Sequence, residues 1–199
     1  MMIKQDLILI GGGGHALTCL DIVEMNKKYT IKGYIAKSRD KRLASLRVSY
    51  LGDDDIINSM CESSVSFVLA IGQILSPDLR INLFYKIIKL GGKFPSFISD
   101  TAFVSDSVDI DIGVIVGHGA LLNTHAKIEK NCIINSRALI EHGSVVKKHS
   151  HIAPGAIILG DVEIGEGSFI GAGAVIREGV KIAPRSVVGA GSIVLKDNI

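Results

Sequence analysis

Histidines are the side chains of this sequence best suited to proton transfer near neutral pH. The six are His15, His118, His125, His142, His149 and His151. An imidazole can take a proton from an attacking amine or hydroxyl, and it can also ligate a metal. A single exposed histidine is commonly just a solvated residue, but the positions of His142 and His151 allow two ring nitrogens to approach one groove.

A glycine run near the N-terminus is the second feature that could bind a ligand. Gly11-x-Gly13-x-x-Ala16 matches the dinucleotide-binding fingerprint, whose glycines permit a tight turn and a close approach to a pyrophosphate. The run follows an apolar strand and precedes a segment with helical spacing, so the N–H groups at the helix start can hold a phosphate. The domain is too short for two mononucleotide halves. We therefore expect a phosphate-bearing small molecule rather than NAD, with a plain glycine turn as the alternative.

An aliphatic residue returns at every sixth position through the second half of the chain, sixteen times without a miss. This period fits neither a helix nor a free strand and is typical of a parallel β-helix, in which three hexads make one 18-residue coil. Burying each aliphatic side chain contributes about 1.5–3 kcal/mol. The sixteen are Val104, Ile110, Val116, Leu122, Ile128, Ile134, Ile140, Val146, Ile152, Ile158, Ile164, Ile170, Ile176, Ile182, Val188 and Val194.

Four of the histidines follow an aliphatic position by two or three residues, so we expect them on the outward turns of the β-helix. They are His118, His125, His142 and His149. The nearest histidine spacings, His142-x6-His149 and His149-x-His151, differ from the His-x4-His pair of the zinc-binding β-helix enzymes. The sequence therefore predicts no metal site.

The first half of the chain alternates between predicted strands and helices. Strands are expected at residues 7–10, 31–36 and 65–71, and helices after the glycine run, over 53–60 and from Ser76-Pro77 to Gly91-Gly92. This order predicts a small parallel sheet with helices on its faces. We therefore expect a Rossmann-like domain at residues 1–95. The six-residue period places a parallel β-helix at residues 96–199.

Composition narrows the classes of function. The 199 residues carry a net charge of +2 with both signs interspersed, so we expect no nucleic-acid partner. No apolar run approaches the 18 to 20 residues of a membrane span, and we expect a cytoplasmic protein. Cys19, Cys61 and Cys132 are isolated and are interpreted as reduced core residues.

Several short motifs together carry a family resemblance. They are Ile10 to Ala16, Leu69 to Gly72, Ile140 to His142, His151 to Ala156, Gly171 to Ala174 and Val188 to Ser192. With them, the chain resembles the sugar acetyltransferases of bacterial surface-glycan pathways, which include the UDP-bacillosamine and GDP-perosamine N-acetyltransferases and relatives that O-acetylate sialic acid. The resemblance covers nearly the full length and implies a homotrimer of left-handed β-helices with acetyl-CoA in the groove between subunits.

The same resemblance implies roles for residues of the β-helix. His142 is expected to be the general base that takes the proton of a sugar amine as it attacks the thioester, and a backbone N–H near Gly160 is expected to stabilise the oxyanion. His151 is expected beside the acetyl and pantetheine end of the cofactor. Ala172 and Ala190 are expected to line the groove through their backbone.

In the first domain, the resemblance implies that Gly13, Gly14 and His15 hold the phosphates of a sugar nucleotide, with Gly72 nearby. Relatives that bind a uridine nucleotide carry two aspartates where this chain has Ala36-Lys37. This difference argues against a UDP-linked acceptor.

Two further departures from the family pattern are visible. Relatives carry an acid directly after the catalytic histidine, whereas this chain has Gly143. Either Glu141 or an acid of the neighbouring subunit substitutes for it, or His142 works unaided at a reduced rate, or the protein acts on a different acceptor. A Gly-Val-Pro-Ala tail common in the family does not follow residues 196–199.

The predicted activity is acetyl transfer from acetyl-CoA to the amine of a nucleotide-activated amino sugar, in lipopolysaccharide or related glycan biosynthesis. One alternative is O-acetylation of a free or CMP-linked sialic acid. The other is a non-catalytic scaffold or sugar-nucleotide sensor that has lost the acid at position 143.

Overall fold

A computed structural model describes residues 4–63 and 65–197 of the chain. The chain forms two compact units. The first comprises residues up to 72 and residues 79–95, and the second comprises residues 73–78 and those from 96 onward. The predicted boundary assigned residues 73–78 to the first domain, but they group with the second unit. The division into two domains at residue 95 stays a prediction.

The first unit is a parallel sheet with helices between its strands. The strands are β1 (Gln5–Ile10), β2 (Tyr29–Ile35), β3 (Tyr50–Gly52) and β4 (Ser66–Leu69). The helices are α1 (Gly14–Met25), α2 (Lys41–Ser45), α3 (Ile57–Glu62), which follows a 3₁₀ turn at Asp54–Ile56, and α4 (Asp78–Lys89).

The strand order of this sheet is β3-β2-β1-β4, with all pairs parallel. The order reverses between β1 and β4, and in open parallel sheets ligands bind at the carboxyl ends of the strands at such a reversal. Residues 11–14, here called the glycine loop, leave the carboxyl end of β1 at this point. The expected Rossmann-like architecture is confirmed, and it places the glycine loop where a ligand can be bound.

Helix α2 is an element that the sequence did not predict. Asp40 caps it by accepting hydrogen bonds from the backbone N–H groups of Arg42 at 2.8 Å and Leu43 at 3.4 Å. The Arg42 side chain also donates to Asp40, and these hydrogen bonds lower the pKa of Asp40 to about 2. With only five residues, the helix has no apolar periodicity to reveal it and depends on this cap.

The second unit is a β-helix of two-residue strands. The strands are β5 (Phe97–Ile98), β6 (Phe103–Val104), β7 (Asp109–Ile110), β8 (Ile115–Val116), β9 (Leu121–Leu122), β10 (Lys127–Ile128), β11 (Ile133–Ile134), β12 (Leu139–Ile140), β13 (Val145–Val146), β14 (His151–Ile152), β15 (Ile157–Ile158), β16 (Glu163–Ile164), β17 (Phe169–Ile170), β18 (Val175–Ile176), β19 (Lys181–Ile182), β20 (Val187–Val188) and β21 (Ile193–Val194).

Each strand pairs in parallel with the strands one coil before and after, which produces three faces. Face one is β5-β8-β11-β14-β17-β20, face two is β6-β9-β12-β15-β18-β21, and face three is β7-β10-β13-β16-β19. Ile140 pairs with Leu122 on one side and Ile158 on the other, 18 residues away in each direction. The predicted left-handed β-helix and its 18-residue coil are therefore confirmed.

The core of this unit consists of the predicted aliphatic residues and the residues four places after them. The aliphatic residues from Val116 to Val188 are buried, while Val104, Ile110 and Val194 are half-buried because the terminal coils have a neighbour on one side only. Ser144 and Cys132 occupy inward positions four residues after an aliphatic residue and are fully buried.

The third residue after each aliphatic position, from 113 to 191, has a left-handed backbone conformation. Glycine fills most of these positions, since it adopts a positive φ without steric cost. Polar residues fill the rest, and one of them is Asp161 with a φ of 55°. These left-handed residues form the turns at the three corners of the β-helix.

Two corners carry most of the β-helix residues that the sequence predicts to be functional. The histidine corner lies between faces two and three and comprises residues 123–126, 141–144, 159–162 and their equivalents in the other coils. The alanine corner lies between faces one and two and comprises residues 153–156, 171–174, 189–192 and their equivalents. Face two therefore separates the two corners.

Residues 73–78 form a segment that packs on the β-helix. The Gln73 side-chain amide donates to the carbonyl of Gly167 at 3.1 Å, and Asp78 accepts from Arg185 at 2.8 Å. Hydrogen bonds from Ser76 and then Arg185 lower the pKa of Asp78. The segment thereby packs against the corner between faces three and one.

Candidate active site

The side chain of His142 is exposed on the histidine corner, directly over Gly160 of the next coil. A Cβ atom built at Gly160 would lie 2.5 Å from Cε1 and 2.6 Å from Nε2 of His142. Real Cβ atoms do not approach a neighbour so closely, and the ring therefore depends on the glycine for its position. The structure brings together these two predicted site residues.

The backbone N–H of Gly160 makes no hydrogen bond within the part of the chain that the structure describes. At the equivalent places in the two preceding coils, the N–H of Thr124 is bonded to Asn123 and that of His142 to Glu141. Leu159 precedes Gly160 and has no polar group to do the same. The N–H next to the imidazole is therefore available to a developing negative charge, as an oxyanion site requires.

Buried Ser144 fixes the two coils of this corner to each other. Its hydroxyl donates to the carbonyl of Leu159 at 2.7 Å and accepts from the N–H of Val162 at 3.1 Å. The N–H of Asp161 donates to the carbonyl of His142 at 2.9 Å. These contacts hold Gly160 under the imidazole, and the sequence analysis did not assign them.

Glu141, which the sequence suggested as a replacement for an acid at position 143, is bound elsewhere. Its Oε2 accepts from the side-chain amide of Asn123 at 2.8 Å and from the N–H of His142 at 3.2 Å. Asn123 belongs to the preceding coil, whereas the imidazole leans toward Gly160 in the following coil. The carboxylate of Glu141 is thus committed to the opposite side of the His142 backbone.

His151 lies in β14 on face one and is buried. Its Nδ1 is 2.7 Å from the carbonyl of Gln73 and its Nε2 is 3.2 Å from the side-chain amide of Asn135. Its ring contacts Phe169 edge to face, with centroids 5.2 Å apart. Within one chain His142 and His151 do not face one groove, and the role of His151 beside the cofactor stays a prediction.

Ala172 and Ala190 lie exposed on the alanine corner, one coil apart. They share this corner with the motif around Pro154, but not with His142 or Gly160. Apart from His151 on face one, the predicted cofactor residues of one chain therefore fall into two groups on different corners. No single groove of one β-helix contains both groups.

The three remaining histidines of the β-helix differ in their surroundings. His118 is 2.7 Å from the hydroxyl of Ser99, and His125 is exposed on the histidine corner one coil before His142. His149 lies on a turn with a φ of 62°, yet it is fully buried, with its Nδ1 2.8 Å from the side-chain amide of Asn131. The prediction of an outward, solvated His149 is wrong because that amide, one coil away, binds the ring inside the turn.

The glycine loop is open where a phosphate would approach. Helix α1 begins at Gly14 with Gly13 as its N-cap and without a side-chain cap. A Cβ atom at Gly13 would meet nothing within 4 Å, whereas one at Gly11, whose φ is +118°, would lie 2.7 Å from the Ala70 carbonyl oxygen. Gly11 thus permits close packing at the reversal of the sheet, while Gly13 leaves the helix N-terminus accessible.

The four predicted substrate residues lie at the carboxyl ends of β1 and β4. A Cβ atom at Gly72 would be 3.8 Å from the Cβ of His15, so these two positions are adjacent. Buried Arg80 fixes the end of β4 by donating to the carbonyl of Leu69 at 3.0 Å. The structure therefore brings Gly13, Gly14, His15 and Gly72 to one edge of the sheet.

A cavity of about 210 Å³ adjoins the glycine loop. Its walls include Gly12, Asp54, and the Ala36-Lys37 pair that follows β2. The carboxyl end of β2 is therefore part of this cavity, at the place where the sequence departs from uridine-binding relatives.

The three cysteines are free thiols. Cys19 and Cys132 are buried and Cys61 is half-buried, and none forms a disulfide. Burial raises the pKa of Cys19 to about 12, so its thiol stays protonated.

Among the described residues, no cluster of three or more His, Cys, Asp or Glu side chains could hold a metal ion. Those residues include no helix with the length and apolarity needed to cross a bilayer.

Two family models match the chain. The PglD N-terminal domain matches residues 6–87. The bacterial transferase hexapeptide family, a model of six repeats, matches residues 143–178 and again 161–196. No curated protein matches the chain. The first match contains the glycine loop, and the second contains the coil that carries Gly160.

Solved structures match nearly the whole chain. PerB from Caulobacter crescentus, in complex with CoA and GDP-perosamine, is 31% identical, with a TM-score of 0.88 over 99% of this chain and 92% of that one. The acetyltransferase domain of PglB from Neisseria gonorrhoeae, with acetyl coenzyme A, is 26% identical, with a TM-score of 0.90 over 98% and 93%. WeeI from Acinetobacter baumannii, at 17% identity and a TM-score of 0.71, shares the fold.

Proposed function

This chain belongs to the sugar acetyltransferases of the left-handed β-helix type, and we propose that it N-acetylates a nucleotide-linked amino sugar with acetyl-CoA as the donor. One observation carries the proposal: the exposed imidazole of His142 lies over Gly160, whose backbone N–H is uncommitted among the described residues. This pairs a proton acceptor with an oxyanion donor, as acetyl transfer to an amine requires.

In this mechanism, the sugar amine attacks the thioester carbonyl of acetyl-CoA. His142 accepts the proton that the amine nitrogen loses, because a neutral amide cannot form while that nitrogen stays protonated. The N–H of Gly160 stabilises the negative charge on the carbonyl oxygen. Collapse of the tetrahedral intermediate expels the CoA thiolate, and the proton held by His142 is available to it.

The acceptor is a nucleotide-linked amino sugar rather than sialic acid. PerB carries GDP-perosamine, and the first unit of this chain presents open N–H groups at the start of α1 to a phosphate. The Ala36-Lys37 pair lines the neighbouring cavity, which favours a nucleotide other than UDP. The pathway we propose is lipopolysaccharide or related glycan biosynthesis in the cytoplasm.

The first test is acetyl transfer by the purified chain and by His142→Asn. Acetyl-CoA is offered with GDP-, UDP- and CMP-linked amino sugars and with free and CMP-linked sialic acids. We expect transfer to an amino sugar, and a fall in kcat of about 10²- to 10⁴-fold in the variant, because it has lost its proton acceptor.

The matched control is His125→Asn, an exposed histidine on the same corner one coil earlier, with retained activity and an unchanged melting temperature. Full activity of His142→Asn would refute the general base. Acetylation of sialic acid hydroxyls alone would favour the O-acetyltransferase. Nucleotide binding without any thioester cleavage would favour a sensor.

We further propose that the active unit is a homotrimer. His142 and Gly160 lie on the histidine corner while Ala172 and Ala190 lie on the alanine corner, with face two between them. One acetyl-CoA reaches both groups when the histidine corner of one subunit faces the alanine corner of the next.

Complementation tests this arrangement. His142→Asn and Ala190→Trp chains are each inactive, the second because a large side chain fills the cofactor groove. After unfolding and refolding together, mixed trimers contain interfaces where an intact histidine corner meets an intact alanine corner. We expect activity to return only in the mixture, with a trimeric mass by light scattering. A mixture as inactive as its components, or a monomeric mass for the active protein, would contradict the shared site.

A further inference from the structure

We infer that Asp161, from the coil after His142, is the positioning residue whose carboxylate stabilises the protonated imidazole in this chain. It takes the place of the acid that position 143 lacks. The inference rests on the proposed function, in which His142 gains a proton during the reaction. An imidazolium is stabilised by a nearby carboxylate, and that stabilisation lowers the barrier because it exists only after proton transfer.

The absence of a side chain at position 143 creates the space that Asp161 uses. Gly143 has a φ of +67°, and a Cβ atom built on it would overlap Oδ1 of Asp161. Asp161 stands 18 residues later, one coil along, and its backbone N–H is bonded to the carbonyl of His142. The carboxylate is therefore folded back against the turn that carries the histidine.

The direction of this side chain follows a rule of the β-helix. Arg137 lies over Gly119, and Arg185 lies over Gly167, with Cγ atoms 3.5 and 3.6 Å from the Cβ positions of those glycines. Residues at the left-handed position thus lean toward the preceding coil when that coil has glycine there. Asp161 obeys the same rule over Gly143, so its placement is a property of the backbone.

The imidazole of His142 occupies the same gap between the two coils, from the other side. A Cβ atom at Gly160 would be 3.2 Å from Nδ1 of His142 and still closer to Cε1 and Nε2. Asp161 thus leans over Gly143 and the His142 ring leans over Gly160, so each side chain lies over the glycine next to the other residue. No hydrogen bond or ion pair joins the two side chains among the described residues. A protonated ring has N–H donors at both nitrogens, so the attraction to an acceptor-only carboxylate arises with proton transfer.

Neither of the other titratable groups on this corner in the three coils around His142 can do this. Glu141 is bound to Asn123 and to the His142 backbone on the opposite side, and His125 offers no negative charge. Asp161 is exposed, as is the ring, so solvent screens the pair and its effect is moderate.

Asp161→Asn is the principal test. We expect kcat to fall about two- to fivefold, in line with exposed charge pairs. The acid limb of the pH profile of kcat/KM should move to lower pH, because the protonated ring has lost its partner. KM for acetyl-CoA and the melting temperature should be unchanged. Glu178→Gln removes an exposed acid from the same corner one coil further on and should leave the pH profile as it is.

Relocating the acid provides a second test. Gly143→Asp alone should lower kcat, because its side chain displaces Asp161. In an Asp161→Gly background the overlap is removed, and aspartate tolerates the left-handed conformation, as Asp161 itself shows. The double variant should therefore regain the rate and pH profile of the parent.

An Asp161→Asn enzyme with the parental kcat and pH profile, alongside inactive His142→Asn, would overturn this inference and leave the proposed function standing. If no acceptor were acetylated, the proposed function would fail instead. NMR titration of the His142 ring then decides. A midpoint at lower pH in Asp161→Asn than in the parent supports the pairing, and identical midpoints refute it.

Discussion

The two sites proposed for this chain, the glycine loop of the first unit and the histidine corner of the β-helix, are of opposite kinds. At the glycine loop the chemistry belongs to the backbone: nothing lies within 4 Å of a Cβ atom at Gly13, and the N–H groups that open α1 have no side-chain cap. At the histidine corner the chemistry belongs to one imidazole, held over Gly160 by contacts between coils.

The difference shows where each site is vulnerable. The glycine loop is impaired by adding atoms, which exclude a phosphate without altering the reacting groups. The histidine corner is impaired by displacing one ring, which leaves binding intact and removes the proton acceptor. Substitutions at the loop should therefore raise KM, and substitutions at the corner should lower kcat.

The largest expected effect that sharpens this contrast comes from Gly160→Ala. The backbone at this position is not left-handed, so alanine is accepted locally, but its Cβ would lie 2.5 Å from Cε1 of His142. The exposed ring must turn away, and a displacement of about 1 Å can cost roughly 100-fold in rate. Steady-state kinetics should show that loss in kcat, with little change in KM for the sugar nucleotide or in melting temperature.

Glu178→Ala is the matched control, since residue 178 occupies the same place in the next coil. Its kcat should equal that of the parent. A Gly160→Ala enzyme whose kcat is within twofold of the parent would show that the ring also works in another orientation. Catalysis would then not depend on the position of the ring over Gly160.

The two sites also differ in how far the sequence predicts them. Each coil of the β-helix consists of three consecutive six-residue repeats. The residues that stack, such as Ile140 between Leu122 and Ile158, therefore follow from the six-residue period alone. The glycine loop is likewise local, because strand, glycines and helix are consecutive. The places of His142 and Gly13 in the fold could therefore be inferred from the sequence alone.

Contacts between coils are the part of the site that the sequence did not predict. Asp161 lies over Gly143, and Asn131 binds His149, at a separation of 18 residues in each case. The spacing is visible in the sequence, but a glycine in one coil and a polar residue in the next become a pair only when the left-handed turns are superposed. The packing of Gln73 against Gly167 has no such regularity and could not be predicted.

The smaller expected effect comes from Gly13→Val at the glycine loop. The backbone of Gly13 is extended, with φ −85° and ψ −168°, and valine adopts that conformation readily. Its Cβ meets no atom of the chain within 4 Å, and its methyl groups fill space over the start of α1. Losing a hydrogen bond to a charged group costs about 1.5–3 kcal/mol. KM for the sugar nucleotide should therefore rise at least about tenfold, with kcat at saturation and melting temperature nearly unchanged.

Glu24→Gln, an exposed change near the other end of α1, should leave both constants at their parental values. The contrast between the two sites requires Gly13→Val to act on KM and Gly160→Ala on kcat. If Gly13→Val instead lowered kcat at saturating sugar nucleotide, the loop would have to influence the reacting groups. The simple division between a backbone site that binds and a side-chain site that reacts would then be wrong.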